Sequence, residues 1–263
     1  MLANYHTHTK RCHHAGGTDE EYVKYAIKRG LSVLGFSDHT PYFYDGDYYS
    51  HAKMRIEETE EYVNSVLSLK SKYKNEIDIR LGFETEYFPK FFQKLLNEYR
   101  KYPLEYIILG QHYIGNESTP DAEDSFTLKT ERKPLTRYTD QCIEALNTGR
   151  FSYFAHPDVV NYHPTGREDA EFMESEYERL IRAAILTETP LELNLCGIRC
   201  ARNYPNPAFW RLVGKFDAPV VIGCDAHAPY QVADAGELKK AEKIVRENGL
   251  KLIDSFPLKN PIF

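Results

Sequence analysis

Apolar and polar positions along this chain repeat a simple unit: a short apolar run, a polar turn, then a longer stretch with helical spacing. The apolar runs cover residues 32–36, 77–83, 106–109, 151–155, 191–195 and 219–223. Short runs of this kind, bounded by turn residues, predict buried strands. Between them lie stretches with apolar residues three and four apart, which predict helices. The first is opened by Thr18-Asp19-Glu20-Glu21, a hydroxyl followed three residues later by Glu, and closed by Gly30. That is a capping box at one end and a helix-stopping glycine at the other. Further helices are predicted over 55–74, 91–99, 135–147, 170–187, 207–216 and 234–248, the last closed by Gly249. Residues 42–49 form an aromatic-rich loop, 114–134 a long polar loop, and 250–253 a further short strand.

Strict β-α alternation means a parallel sheet with right-handed crossovers. No glycine-rich phosphate loop follows the first strand, so a dinucleotide-binding fold is disfavoured. A closed α/β barrel fits better because of where the polar residues sit. His6 and His8, Asp38 and His39, Glu84, His112, His156, Arg199, and Asp225 and His227 each fall at or just past the end of a predicted strand. In barrel enzymes that rim is where chemistry is assembled.

Length and composition narrow the function classes. The 263 residues suit one barrel domain, and the 42% hydrophobic and 27% charged fractions suit a soluble globular protein. The net charge of −6, without a stripe of Lys and Arg, argues against duplex nucleic acid as a partner. No apolar run is long enough to cross a membrane and no signal-peptide core opens the sequence, so a cytoplasmic location is expected. The five scattered cysteines predict reduced thiols rather than a disulfide framework, and Cys196 and Cys200, four apart, lack further partners for a metal site.

The histidines carry the chemistry. In an extended segment His6 and His8 point to one face, and Asp225-Ala226-His227 repeats the arrangement. Together with His14, His39, Glu84, His112 and His156 they make nine candidate ligands, whereas a catalytic zinc takes about three. Two or three divalent ions are therefore expected, of Zn, Fe or Mn. Glu84, alone on its strand, is the candidate bridging carboxylate. His51 and His163 fit no site.

His6-x-His8, Ser37-Asp38-His39, Gly82-Phe83-Glu84, Gln111-His112, Ala155-His156-Pro157 and Asp225-Ala226-His227 resemble the motifs of the PHP superfamily (polymerase and histidinol phosphatase), in order. The stretches from His6 to His14 and from Glu192 to Arg199 resemble its monofunctional histidinol-phosphate phosphatase branch. The resemblance implies a single PHP catalytic domain over 1–263, a distorted (β/α)7 barrel, and a trinuclear metal centre. One ion would take His6, His8, Glu84 and Asp225, a second Glu84, His112 and His156, a third His14, His39 and His227. His14 is preferred to the adjacent His13 because the family's third histidine lies eight residues after the first. The implied reaction is hydrolysis of L-histidinol phosphate by a metal-bridging hydroxide. Glu84, Asp225, His227 and Asp38 are its catalytic candidates, with Asp38 expected to orient a ligand, and Arg199 is expected to grip the phosphoryl group with its guanidinium fork. The alternatives are another phosphoesterase on the same barrel, a nucleotide phosphatase or 3′-exonuclease, or a non-catalytic metal-binding module. The partner is a small phosphate ester, with neither nucleic acid nor membrane, and the oligomeric state is open.

Overall fold

In the computed structural model, which describes residues 1–262, local signals set most element ends. The Thr18–Glu21 box is formed in both directions and opens α1, Asp19–Lys28. Asp234 caps α8, Ala235–Asn248, and Gly249 closes it in the left-handed conformation. Between them run α2 (Thr59–Lys72), α3 (Pro89–Tyr99), α4 (Arg132–Asn147), α5 (Arg167–Leu186), the short α6 (Leu195–Arg199) and α7 (Pro207–Lys215). The strands are β1 (Ala3–Asn4), β2 (Val33–Phe36), β3 (Asp78–Thr85), β4 (Tyr106–Leu109), β5 (Tyr113–Ile114), β6 (Glu123–Asp124), β7 (Leu191–Asn194), β8 (Pro219–Gly223) and β9 (Lys251–Leu252). None of the described helices is long and apolar enough to cross a membrane.

The architecture is mixed α/β with a curled parallel sheet. One part has the order β1-β2-β3-β4 and the other β7-β8-β9, and every pairing in both is parallel. Single parallel bridges link them, Leu109 with Phe154 and Phe154 with Leu191. A third, Thr7 with Ala226, brings the exit of β8 back to the exit of β1.

Three expectations change. The strand expected over 151–155 is reduced to the bridge at Phe154. It makes ladder bonds on both sides, Ala155 N to Leu109 O at 2.8 Å and Glu192 N to Phe154 O at 2.9 Å. It stays short because the chain turns at His156, whose φ is 31°. The long loop over 114–134 contains the antiparallel β5-β6 hairpin, and its last residues already belong to α4. The stretch after β7 is one turn of helix, capped by Asn194 on Gly197 N, so Arg199 sits on α6 rather than in a loop.

The main apolar core lies between sheet and helices. A smaller cluster, Tyr106, Ile108, Tyr153, Ala155 and Val221, fills the inside of the curled sheet, where Phe256 and Leu258 of the C-terminal tail pack against it. Lys259 ties that tail to Ser152, Thr187 and Thr189. The floor is thus closed with apolar side chains, and the opposite, strand-exit end remains for polar groups.

Candidate metal centre

Glu84 is the hub. It sits in β3 and is almost wholly buried. Its Oε1 lies 2.8 Å from His156 Nε2, 3.5 Å from His6 Nε2 and 3.6 Å from His112 Nε2. Its Oε2 lies 2.8 Å from His39 Nδ1 and 3.6 Å from His8 Nε2. Five histidines from four strand exits, His6 and His8 sharing that of β1, thus surround one carboxylate. Gly110, just past β4, makes this possible, because a Cβ there would collide with the Glu84 carboxyl group.

Asp225 is the second acidic centre. Its Oδ1 lies 3.1 Å from His8 Nε2, 3.3 Å from His227 Nδ1 and 3.7 Å from His6 Nε2. Asn194 donates to its Oδ2 at 3.1 Å. Asp225 and His156 both have positive φ, 45° and 31°. Such backbone costs about 1–3 kcal/mol per residue and persists where the surroundings enforce it, often at functional sites. The third cluster is outermost. His14 Nε2 and His227 Nε2 are 3.0 Å apart, and the His14 ring stacks on His39. His13 points elsewhere, towards Glu58 at 3.5 Å. The structure therefore brings together all nine ligand-type residues expected from the sequence, with His14 rather than His13 in the group.

A layer of carboxylates stands behind the histidines. Glu192 Oε2 and Oε1 lie 2.9 and 3.1 Å from His6 Nδ1, leaving Nε2 to face Glu84. Asp38 lies 3.5 Å from His8 Nδ1, accepts from Thr9 N at 3.2 Å and from the Thr9 hydroxyl, and so orients rather than faces the centre. Glu86 lies 3.6 Å from His112 Nδ1 and accepts from the His112 and Tyr113 amides. Sequence reasoning assigned no role to Glu192 or Glu86. The available signal for Glu192 is an acidic residue inside the apolar run Leu-Glu-Leu-Asn of β7. Arg199 lines the wall of the same cavity and is held by its neighbours. Its Nε and Nη2 form a two-point pair with Glu237 at 2.7 Å each, and the guanidinium also donates to the carbonyls of Cys224 at 3.2 Å and Asp225 at 3.4 Å. The fork expected to take a phosphoryl group already holds Glu237 and the backbone beneath Asp225.

The electrostatics fit a cation site. Burial opposes charge on Glu84, but His39, His112 and His6 hold its carboxyl well below the usual range. Burial likewise opposes Asp225, and His6 and His8 keep it ionised. Burial, then His8, pushes His227 down to about 3 and lowers His14. Burial also lowers His39 despite Glu84. Ionised carboxylates and neutral imidazoles are the donor state that divalent ions require. His14, His39 and His227 meet it. Against burial, the neighbouring carboxylates raise His6, His8 and His112, so that binding an ion there would release protons. His6 Nε2, both ring nitrogens of His8 and Glu84 Oε2 are buried with no hydrogen-bond partner, and a ligated ion would satisfy such atoms. The ligand atoms of His6, His8 and Glu84 lie within 4.8 Å of one another, as do those of His39, Glu84 and His112, and those of His14, His39 and His227. A cavity of roughly 420 Å³ opens above them, walled by Lys53, Glu117, Phe126, Arg202 and Tyr204.

Known proteins are similar to this chain. A probable histidinol-phosphatase of Deinococcus radiodurans is 30% identical over 242 residues, 88% of each chain. The histidinol-phosphatase of Lactococcus lactis is 23% identical, covering 96% of this chain and 93% of that one. A crystal structure of histidinol phosphate phosphatase from Lactococcus lactis, complexed with zinc, L-histidinol and phosphate, superposes with a TM-score of 0.70 at 20% identity, covering 97% of both chains. At that identity the superposition demonstrates a shared fold. The profile of the PHP domain matches residues 4–195, and with this match, which takes in all the candidate ligands but Asp225 and His227, the chain belongs to the PHP domain family.

Proposed function

We propose that this chain is a metal-dependent phosphomonoesterase that hydrolyses L-histidinol phosphate to L-histidinol and phosphate. The observation that carries this reading is the convergence of five histidines on one buried carboxylate, with unpartnered ring nitrogens facing it. The names of the relatives supply the substrate. The Lactococcus structure, with zinc and both products bound, supports the same reading.

His6, His8, Glu84 and Asp225 would hold one cation, Glu84, His112 and His156 a second, and His14, His39 and His227 a third. His39 is also within reach of Glu84 and His112 and so stands between the last two groups. Divalent cations such as zinc would supply an acidified water and neutralise phosphoryl charge. Glu192 holds the His6 ring with Nε2 inward, Asp38 does the same for His8, and Glu86 backs His112. Such backing groups fix ring orientation and raise ligand basicity. Arg199 steadies the backbone of Asp225 from the cavity wall. Residues 1–263 act as one domain, a distorted (β/α)7 barrel in which the Phe154 bridge stands in the fifth strand position. The substrate partner is a small phosphate ester rather than nucleic acid or membrane.

The test is turnover of histidinol phosphate, mononucleotides and single-stranded DNA by protein of known metal content. Preference for histidinol phosphate with two or three ions per chain is the expected result. Faster turnover of nucleotides or DNA would assign a different phosphoesterase, and bound metal without turnover would leave only a binding module.

A further inference from the structure

Five free cysteines are present, and Cys12, Cys142 and Cys224 are buried. The other two differ. Cys196 and Cys200 lie at the two ends of α6 with their sulfurs 3.9 Å apart, Cys196 partly covered and Cys200 exposed. Both line the cavity above the candidate metal centre. The established family activity has no evident use for them.

We infer that Cys196 and Cys200 are an oxidisable thiol pair, a modification site for peroxides, whose closure to a disulfide loosens α6 and disables the metal centre. Residues four apart on one helical turn have Cα atoms about 6 Å apart, inside the range of about 4.4–6.8 Å that disulfides accept. Their Cβ spacing on a helix, about 5–6 Å, exceeds the roughly 3.8 Å a disulfide prefers. The bond therefore forms only if the turn opens. That helix is a single turn, and the bond at risk is Cys200 N to Cys196 O, 2.8 Å in the reduced protein. A disulfide formed under such strain is readily reduced again, which suits a reversible switch.

The chemistry balances in two steps. The exposed Cys200 sulfur attacks a peroxide oxygen, the O–O bond breaks, and a sulfenic acid and water (or an alcohol) form. The Cys196 thiol then attacks that sulfur, expelling water as the S–S bond forms. Two thiols are oxidised and one peroxide is reduced.

The consequence follows from what α6 holds. Arg199, between the two cysteines, donates to the carbonyls of Cys224 and Asp225. Asn194, which caps the start of α6, donates to Asp225 Oδ2. Both supports of Asp225 are thus carried by one turn of helix. Opening that turn releases a candidate metal ligand without touching it.

The test uses the full chain loaded with zinc, which peroxide does not oxidise, so that only the thiols respond. Trypsin cuts after Arg199, between the cysteines, so a disulfide holds two peptides together, about 2 Da lighter than the reduced pair. Expected after mild peroxide are this cross-linked pair, faster loss of zinc to a chelator, and turnover of histidinol phosphate at least tenfold lower, all reversed by dithiothreitol. Cys200→Ser should match reduced wild type before treatment and resist it afterwards. Absence of the cross-link at doses that spare the buried cysteines would overturn the inference. So would equal loss of zinc retention or turnover in Cys200→Ser. Cross-link and zinc release are read without substrate, so a failure of the phosphatase reading on which the turnover arm rests is distinguished from a failure of the switch.

Discussion

Two groups of buried carboxylates share one cavity and solve the problem of buried charge differently. Glu86 and Glu117 flank Lys53, whose ammonium lies 2.8 Å from Glu86 Oε1 and in contact with Glu117. Burial opposes the charge on Lys53, but the two carboxylates outweigh it and raise its pKa. That group carries its own cation. Among the described residues, the ion-pair partners of Glu84, Asp225 and Glu192 are imidazoles, with Asn194 donating to Asp225 and Glu192. Burial holds three of those rings, His14, His39 and His227, towards the neutral form. Opposite charge in low dielectric must come from somewhere, since an unpaired buried ion is costly. In the Lys53 group the chain supplies it, and in the Glu84 group ligated cations would. The first arrangement carries its counter-charge within the chain, and the second presents buried donors to divalent ions.

The comparison breaks most visibly at its two hubs. Glu84→Gln keeps shape but removes charge shared by two donor groups. We expect kcat/KM on histidinol phosphate to fall by roughly a thousandfold or more, with fewer ions bound. Near-normal turnover at full metal occupancy would show that Glu84 does not join two cations. Removing metal tests the same point without mutation. If the folded protein alone binds the ions, saturation at about a thousand times Kd is worth about 4 kcal/mol, or a Tm about 10 °C higher than after chelation. Calorimetry finding equal Tm with and without chelator would deny the cations any part in balancing the buried charge.

Lys53→Met should act on stability instead. Two buried carboxylates lose their partner, at a cost of about 3–5 kcal/mol, while bound metal stays near wild type. A metal loss as large as that of Glu84→Gln would erase the distinction between the two groups. The smallest effect is expected at Arg199. Arg199→Lys keeps the charge but not the two-point pair with Glu237 or the paired carbonyl contacts. Ion affinity and kcat/KM should each fall roughly 10- to 100-fold, as for other residues that support a ligand indirectly. If kinetics showed weaker phosphate inhibition with unchanged metal affinity, Arg199 would be reading phosphate, as its position after β7 first implied.

The chain by itself determined what depends on near neighbours. Alternating apolar runs and helical spacing specify the order of elements, and β4 and β8 have the predicted ends because apolar runs and turn residues mark them locally. The capping box and the two terminal glycines set helix ends by hydrogen bonds within a few residues. Apart from His14, the candidate ligands were legible because each lies at or just past a strand end, and a parallel sheet carries its strand exits to one rim. Tertiary structure alone decided which groups meet. Glu192 and His6 are 186 residues apart, and no local window links them. The choice of His14 over His13 depends on His227, reached from the far end of the chain. Arg199 was assigned to phosphate because its residue type and position permit it. That Glu237, in the first turn of α8, pairs with the fork was decided only by the fold. Local propensity acts through the backbone over a few residues, whereas the pairing of a buried charge is settled by whichever opposite charge the fold brings within hydrogen-bonding distance.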